Sequence, residues 1–319
     1  MKQVMFTLAV LLNAYMLSAC SINIGADRSA GHYERDAAGY GASDGVIERS
    51  LSVQPFTALE CRLPASVTYV QTNDQAPKVV LKGAPAMVER CVVDVRDGKL
   101  QLYLVQKAKQ SMKCLSQSRN QLNITVYGGR LTALAVQSAC TFYATQLETS
   151  QLALSNAGAS SIRVGRFAGQ QLTMSCSGAS STKLAGNVAK LMLNVTGASS
   201  FVANEFATQD LKAKVSGAST AKCALQGSAG VDVSGASTLT LSGTADLFTI
   251  KCSGASSVKA ADLKAQNVVV DVAGASGVKC YAARSIKGTV GCGSLTYGGR
   301  PTSFNVERQN STASIKAVD

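Results

Sequence analysis

A three-residue motif, Gly-Ala-Ser, begins at Gly158, Gly178, Gly197, Gly217, Gly235, Gly254 and Gly274, with spacings of 20, 19, 20, 18, 19 and 20 residues. A period this short, repeated this often, points to a solenoid in which each repeat packs on its neighbours. Degenerate copies extend the series in both directions, as Ser138-Ala139-Cys140 and Cys292-Gly293-Ser294. An isolated copy at Gly41 is out of series.

Residues two and four before each glycine are mostly apolar, as in Leu193 and Val195, Val231 and Val233, or Val270 and Val272. Those four and six after it are often apolar too, as in Ile162 and Val164 or Leu239 and Leu241. Alternation on both sides predicts two strands per repeat, each with one face inward, joined by the motif as a bend. Strands returning at the same phase pair in parallel, which predicts an all-β, right-handed parallel β-helix of about 19-residue rungs. Nine rungs would make a rod of about 43 Å. The seven to nine residues between repeats are expected to absorb the variation in length. Phe167, Phe206 and Leu263, each nine after its glycine, mark a third short wall there.

Composition agrees with a narrow interior: 28 Gly, 5 Pro, no Trp, and only 5% aromatic residues although 46% are apolar. The single histidine, His32, lies in a polar segment, which removes support from histidine-dependent hydrolase chemistry and from His-based zinc sites. No metal or cofactor is expected.

Met1-Lys2, an apolar run from Val4 to Leu17, and Leu17-Ser18-Ala19-Cys20 have the layout of an export signal. The last four residues resemble the lipobox of bacterial lipoproteins, which implies a signal peptide over 1–19, lipidation of Cys20 with palmitate among its acyl chains, and anchoring in the cell envelope. Ser21 after the cysteine implies the outer membrane by the same resemblance. Residues 20–45 read as a flexible tether, rich in Gly, Ala, Ser and Asp.

Residues 46–126 carry apolar runs at Phe56–Leu63, Val67–Val70, Val79–Leu81, Val88–Val95 and Leu100–Val105, separated or flanked by prolines. They are assigned as strands of an N-terminal β cap over the open end of the solenoid, which occupies 127–319 with its closing segment. Phe56-Thr57-Ala58-Leu59 with Val67, the Asp97-Gly98-Lys99-Leu100 turn, the Gly-Ala-Ser series and Gly291-Cys292-Gly293-Ser294-Leu295-Thr296-Tyr297-Gly298-Gly299-Arg300-Pro301 together resemble the head-GIN domain family of auto-transporter adhesins. The likeness covers about residues 46–317. It implies a right-handed β-helix and an envelope location, and it supplies no catalytic residues.

In a β-helix, equivalent positions stack into columns. Five residues after each glycine stand Arg163, Lys183, Val202, Lys222, Thr240, Lys259 and Lys279, an outward and mainly basic column. Residues 151–300 hold 14 Lys and Arg against 6 Asp and Glu. Arg163, Lys183, Lys222, Lys259 and Lys279 are therefore the candidate ligand-binding residues. The ligand class is an anionic polysaccharide or lipopolysaccharide phosphate, set against a solvated face with no ligand. No aromatic residue stands among these seven, which disfavours nucleic acid.

Three before each glycine stand Ser175, Asn194, Lys214, Asp232, Lys251 and Asp271, and the alternating signs of the last four predict charge pairing between rungs. Such a column lacks the clustered carboxylates of a calcium-dependent lyase. The motif serines, with no base in phase, are assigned to bend packing.

Cys176 and Cys252 share a column four rungs apart, about 19 Å, and Cys223 and Cys280 share another three rungs apart, about 14 Å. Bridged Cα atoms must lie within about 7 Å, so column mates are unpaired core residues. Cys61, Cys91 and Cys114 remain disulfide candidates. The sequence thus describes a lipid-anchored, non-catalytic binding or adhesion surface. Self-assembly through the rungs is the alternative, and a carbohydrate-active β-helix enzyme comes third.

Overall fold

The computed structural model describes residues 45–105 and 122–318. Residues 1–19, Cys20, His32, the tether up to residue 44, and Cys114 lie outside them. The chain is nearly all β, 69% strand and 2% helix, wound into a β-solenoid of about nine turns.

The N-terminal end is built from antiparallel pieces. β1 (Ile47–Ser52) is separated by the first solenoid turn, β2 (Ala58–Arg62) and β3 (Ser66–Gln71), from β4 (Lys78–Gly83), with which it pairs antiparallel. A short helix, α1 (Pro85–Arg90), leads into β5 (Cys91–Arg96) and β6 (Lys99–Leu104), an antiparallel hairpin. β7 (Asn123–Gly128) pairs antiparallel with β4 and parallel with β3. β6 pairs parallel with β2. The antiparallel strands and α1, which buries Met87 and Val88, therefore close the end of the parallel stack.

The run Val88–Val95, expected as one strand, is divided: Val88 belongs to α1 and the strand starts at Cys91. Pro85 explains the helix, since its fixed φ and missing N–H suit the first helical turn.

Upward from β2 and β3 the rungs repeat. β8 (Ala133–Gln137) and β9 (Thr141–Glu148) stack in parallel on them. β10 (Gln151–Asn156) and β11 (Ser161–Cys176) follow, then β12 (Ser181–Val195), β13 (Ser200–Ala203), β14 (Phe206–Val215), β15 (Thr220–Val233), β16 (Thr238–Cys252), β17 (Ser257–Val272) and β18 (Gly277–Val290). β19 (Ser294–Gly298), β20 (Ser303–Arg308) and β21 (Ser314–Ala317) complete the described stack.

Within most turns the expected pair of strands is one continuous strand, as in the 16 residues of β11 or β17. The segment between repeats is bent strand, because its N–H and C=O groups bond to the turns above and below and pairing survives the corner. Register shifts fall at these corners, between Val164 and Phe167, Thr240 and Gly243, and Ala260 and Lys264. The core is one column of inward residues. The positions two and four before and four and six after the motif glycine are filled as expected, and Phe167, Phe206 and Leu263 are buried on the third wall.

The seven motif glycines have φ between +67° and +81°. Space excludes a side chain as well: a Cβ on Gly217 would meet the Gly197 carbonyl oxygen at 2.5 Å. Ala179 and its counterparts donate their N–H to the glycine carbonyl one turn below, at 2.8–2.9 Å, as in Ala179 to Gly158 and Ala218 to Gly197.

Candidate functional site

The basic column exists as a physical row. Backbone register aligns Arg163 with Lys183, Lys183 with Val202, Val202 with Lys222, Lys222 with Thr240, Thr240 with Lys259 and Lys259 with Lys279. The five cationic side chains are exposed, and none takes part in an ion pair among the described residues. Neighbouring members stand about 4.8 Å apart, so the run from Arg163 to Lys279 is roughly 29 Å long. Register extends it through Thr296 to Lys316 at one end and to Tyr143 at the other. Tyr143, 40% exposed, gives the extended row an aromatic member that the seven motif repeats lack.

A second row, not anticipated, runs beside it. Ser161, Ser181, Ser200, Thr220, Thr238 and Ser257 are aligned in register on the same wall, two residues before each of the first six members of the basic row, and Gly277 takes the place before Lys279. The residue three after each of the first six motif glycines carried that signal in the sequence. The wall therefore offers alternating lines of hydroxyls and cations.

The row three before each glycine behaves differently from expectation. Lys214, Asp232, Lys251 and Asp271 are aligned in register, yet no nitrogen and oxygen among them approach within ion-pair distance. These exposed side chains gain little by pairing in water and lose rotamer freedom if they do. Asp271 instead accepts a hydrogen bond from Thr289 Oγ1 at 3.4 Å.

The motif serines are buried and satisfied by backbone. Ser180 Oγ donates to the Asn156 carbonyl at 3.1 Å and Ser276 Oγ to the Cys252 carbonyl at 3.1 Å. Asn156, fully buried, donates from Nδ2 to the Ser181 carbonyl and to Thr182 Oγ1, both at 2.8 Å. These contacts tie successive turns together and leave no hydroxyl activated by a base.

Cys176, Cys223, Cys252 and Cys280 are free and buried, as the spacing argument requires. Cys61 and Cys91 are free and buried as well. The neighbouring Cys140 thiol and burial raise the Cys61 pKa. Burial pushes Cys91, Cys223 and Cys280 up to about 12, and Cys176 up to about 11. Cys292 is the exposed exception. Among the described residues no group of three His, Cys, Asp or Glu side chains could hold a metal ion, and no helix is long and apolar enough to cross a membrane.

On the adjoining wall the structure brings together residues the sequence did not. Gln226, Thr244, Lys264 and Tyr281 align across four turns. They stand nine, nine, ten and seven residues after their glycines, so corner irregularities hide the alignment from any constant phase. Asp246 and Gln266 join the first three of them around a depression of about 350 Å³. A second depression, of about 420 Å³, is lined by Tyr281, Ala283, Gly299 and Arg300. Lys264 Nζ, at the first depression, sits 4.1 Å from the centroid of the Tyr281 ring, at the second.

No curated protein matches this chain. Among solved structures, a "putative adhesin" from Bacteroides fragilis is 18% identical, with 88% of this chain and 100% of that one covered at a TM-score of 0.42. A "putative adhesin" from Parabacteroides distasonis is 16% identical, covering 86% and 98% at 0.48. A "putative lipid binding protein" from the same species is 17% identical, covering 86% and 97% at 0.46. The family model described as "Putative auto-transporter adhesin, head GIN domain" matches residues 55–240 and 226–301, from the first parallel turn almost to the last, and the chain belongs to that head GIN family.

Proposed function

We propose that this protein is a lipid-anchored, non-catalytic adhesin of the cell envelope, held in the outer membrane through Cys20, whose solenoid binds anionic glycans or lipopolysaccharide phosphates along the basic row. The observation that carries the reading is the row itself: Arg163, Lys183, Lys222, Lys259 and Lys279 are exposed, in register, and without acidic partners among the described residues. A row of like charges on a rigid wall attracts a flexible polyanion through the summed field, and many weak contacts act together. The hydroxyl row beside it supplies hydrogen bonds that a polymer's oxygens can accept. The adhesin family fits a binding role, and Leu17-Ser18-Ala19-Cys20 supports the anchor.

Binding of the mature protein to an immobilised anionic glycan is expected to weaken steeply with salt, and to be lost when Lys183, Lys222, Lys259 and Lys279 are all replaced by Ala. Unchanged binding in that variant removes the row from the mechanism. For the anchor, a radiolabelled fatty acid is expected on the wild-type protein in its native host and absent after Cys20→Ser. Equal labelling of both would refute lipidation at Cys20.

A further inference from the structure

The polar groove at the corner beside the basic row has a chemistry that charge attraction alone does not call for. Lys222 precedes Gln226 by four residues and, two turns further on, Lys259 precedes Lys264 by five, with Ala224, Ser242, Ala261 and the exposed carboxylate of Asp262 on the intervening strand. The row and the groove therefore flank one corner, on which Asp262 also stands. Gln226, Thr244, Lys264 and Tyr281 span three rung spacings, about 14 Å, the length of a short oligosaccharide.

The side chains of Gln226, Thr244, Asp246 and Gln266 are exposed and make no hydrogen bond or ion pair with protein among the described residues. Asp246 occupies an irregularity where the pairing register jumps from Ala245 to Leu247 against Gly227 and Ser228. It lines the depression together with Gln226, Gln266 and Lys264. Ionised, it only accepts hydrogen bonds, so it suits a ligand that brings hydroxyl donors. A polyphosphate brings acceptors and negative charge alone, and Asp246 repels it. Lys264, seated over the Tyr281 ring, and Arg300 in the neighbouring depression are placed to meet a carboxylate. Tyr281 lines the second depression and carries Lys264 of the first over its ring.

We infer that this groove is the subsite that selects a glycan containing uronic acid, whose sugars carry both a carboxylate and neighbouring hydroxyls, over other polyanions held by the basic row. The inference rests on the reading of the basic row as a polyanion site. Row and groove divide the work: the row gives salt-sensitive attraction to any polyanion, and the groove gives chemical selectivity.

The test compares an oligogalacturonate with inorganic polyphosphate of equal charge, using the mature protein and three variants that keep the wild-type melting curve. The wild type is expected to prefer the oligogalacturonate. Asp246→Asn and Gln226→Ala/Gln266→Ala are each expected to weaken the oligogalacturonate by about tenfold, the loss of one or two charge-assisted hydrogen bonds, and Asp246→Asn is expected to strengthen polyphosphate. The Lys183, Lys222, Lys259 and Lys279 to Ala variant is expected to lose both ligands. A wild-type preference unchanged in both groove variants, while the lysine variant loses both ligands, would overturn the groove alone. Failure of the wild type to bind either ligand would overturn the basic row and the groove with it.

Discussion

Each motif glycine answers two independent demands, a positive φ and a carbonyl directly beneath it. At Gly217 a Cβ would both strain the backbone and collide with Gly197, whereas at Gly230 a Cβ meets nothing within 4 Å. Gly217→Ala is therefore expected to lower stability by about 2 kcal/mol or more, and Gly230→Ala to leave it unchanged or raise it by up to roughly 1 kcal/mol, as read from denaturant midpoints. The buried thiols make a second residue-level prediction. Their folded pKa values lie above the unfolded value, so folding is unaffected below about pH 8.5, and stability falls as pH rises toward 11 to 12 while the unfolded chain ionises first. Chemical melts from pH 8 to 11 are expected to show this loss, which replacing Cys223 and Cys280 by Ala would make shallower. In the folded protein at pH 8, iodoacetamide is expected to label Cys292 and spare Cys176, Cys223 and Cys280, as peptide mapping would show.

The elements differ in how openly the sequence announces them. Strands flanking the motif follow from period two, because one face of every strand must enter a narrow core. Helix α1 does not, since a short apolar run such as Val88–Val95 fits a helical turn and a strand equally well. Its role depends on packing: Met87 and Val88 are buried at the antiparallel end of the stack. Val88→Asp, which buries a charge there, is expected to lower stability by roughly 3 kcal/mol and to expose unpaired strand edges. Light scattering would detect the resulting aggregation, and a variant that stays monomeric with an unchanged melt would contradict the capping role. The corners are the other element that a fixed repeat length conceals. A bulge adds or removes a residue without breaking the pairing around it, so the turns keep step in space while they lose step in sequence.

At the scale of the whole molecule, the solenoid is a rigid rod whose walls can be altered without disturbing its core. The cations of the basic row are exposed and have no partners among the described residues, so replacing Lys183, Lys222, Lys259 and Lys279 by Ala is expected to change stability by no more than about 0.5 kcal/mol per site. A calorimetric melt of this variant, taken alongside the binding assay, separates a ligand-binding row from one that maintains the fold.

The amino-acid sequence by itself determined the solenoid, its rung length, its inward columns and the basic row, because each depends only on spacing from a glycine that the turn makes indispensable. It also placed Phe167, Phe206 and Leu263 on the third wall. Tertiary structure alone decided which residues meet across the corners. Gln226, Thr244, Lys264 and Tyr281 become neighbours through local shifts in register, and the Lys214 to Asp271 series stays unpaired although its signs alternate. The physical reason is that backbone hydrogen bonding sets the position of a residue within its turn, whereas bulges and solvent decide which side chains then come within reach of one another.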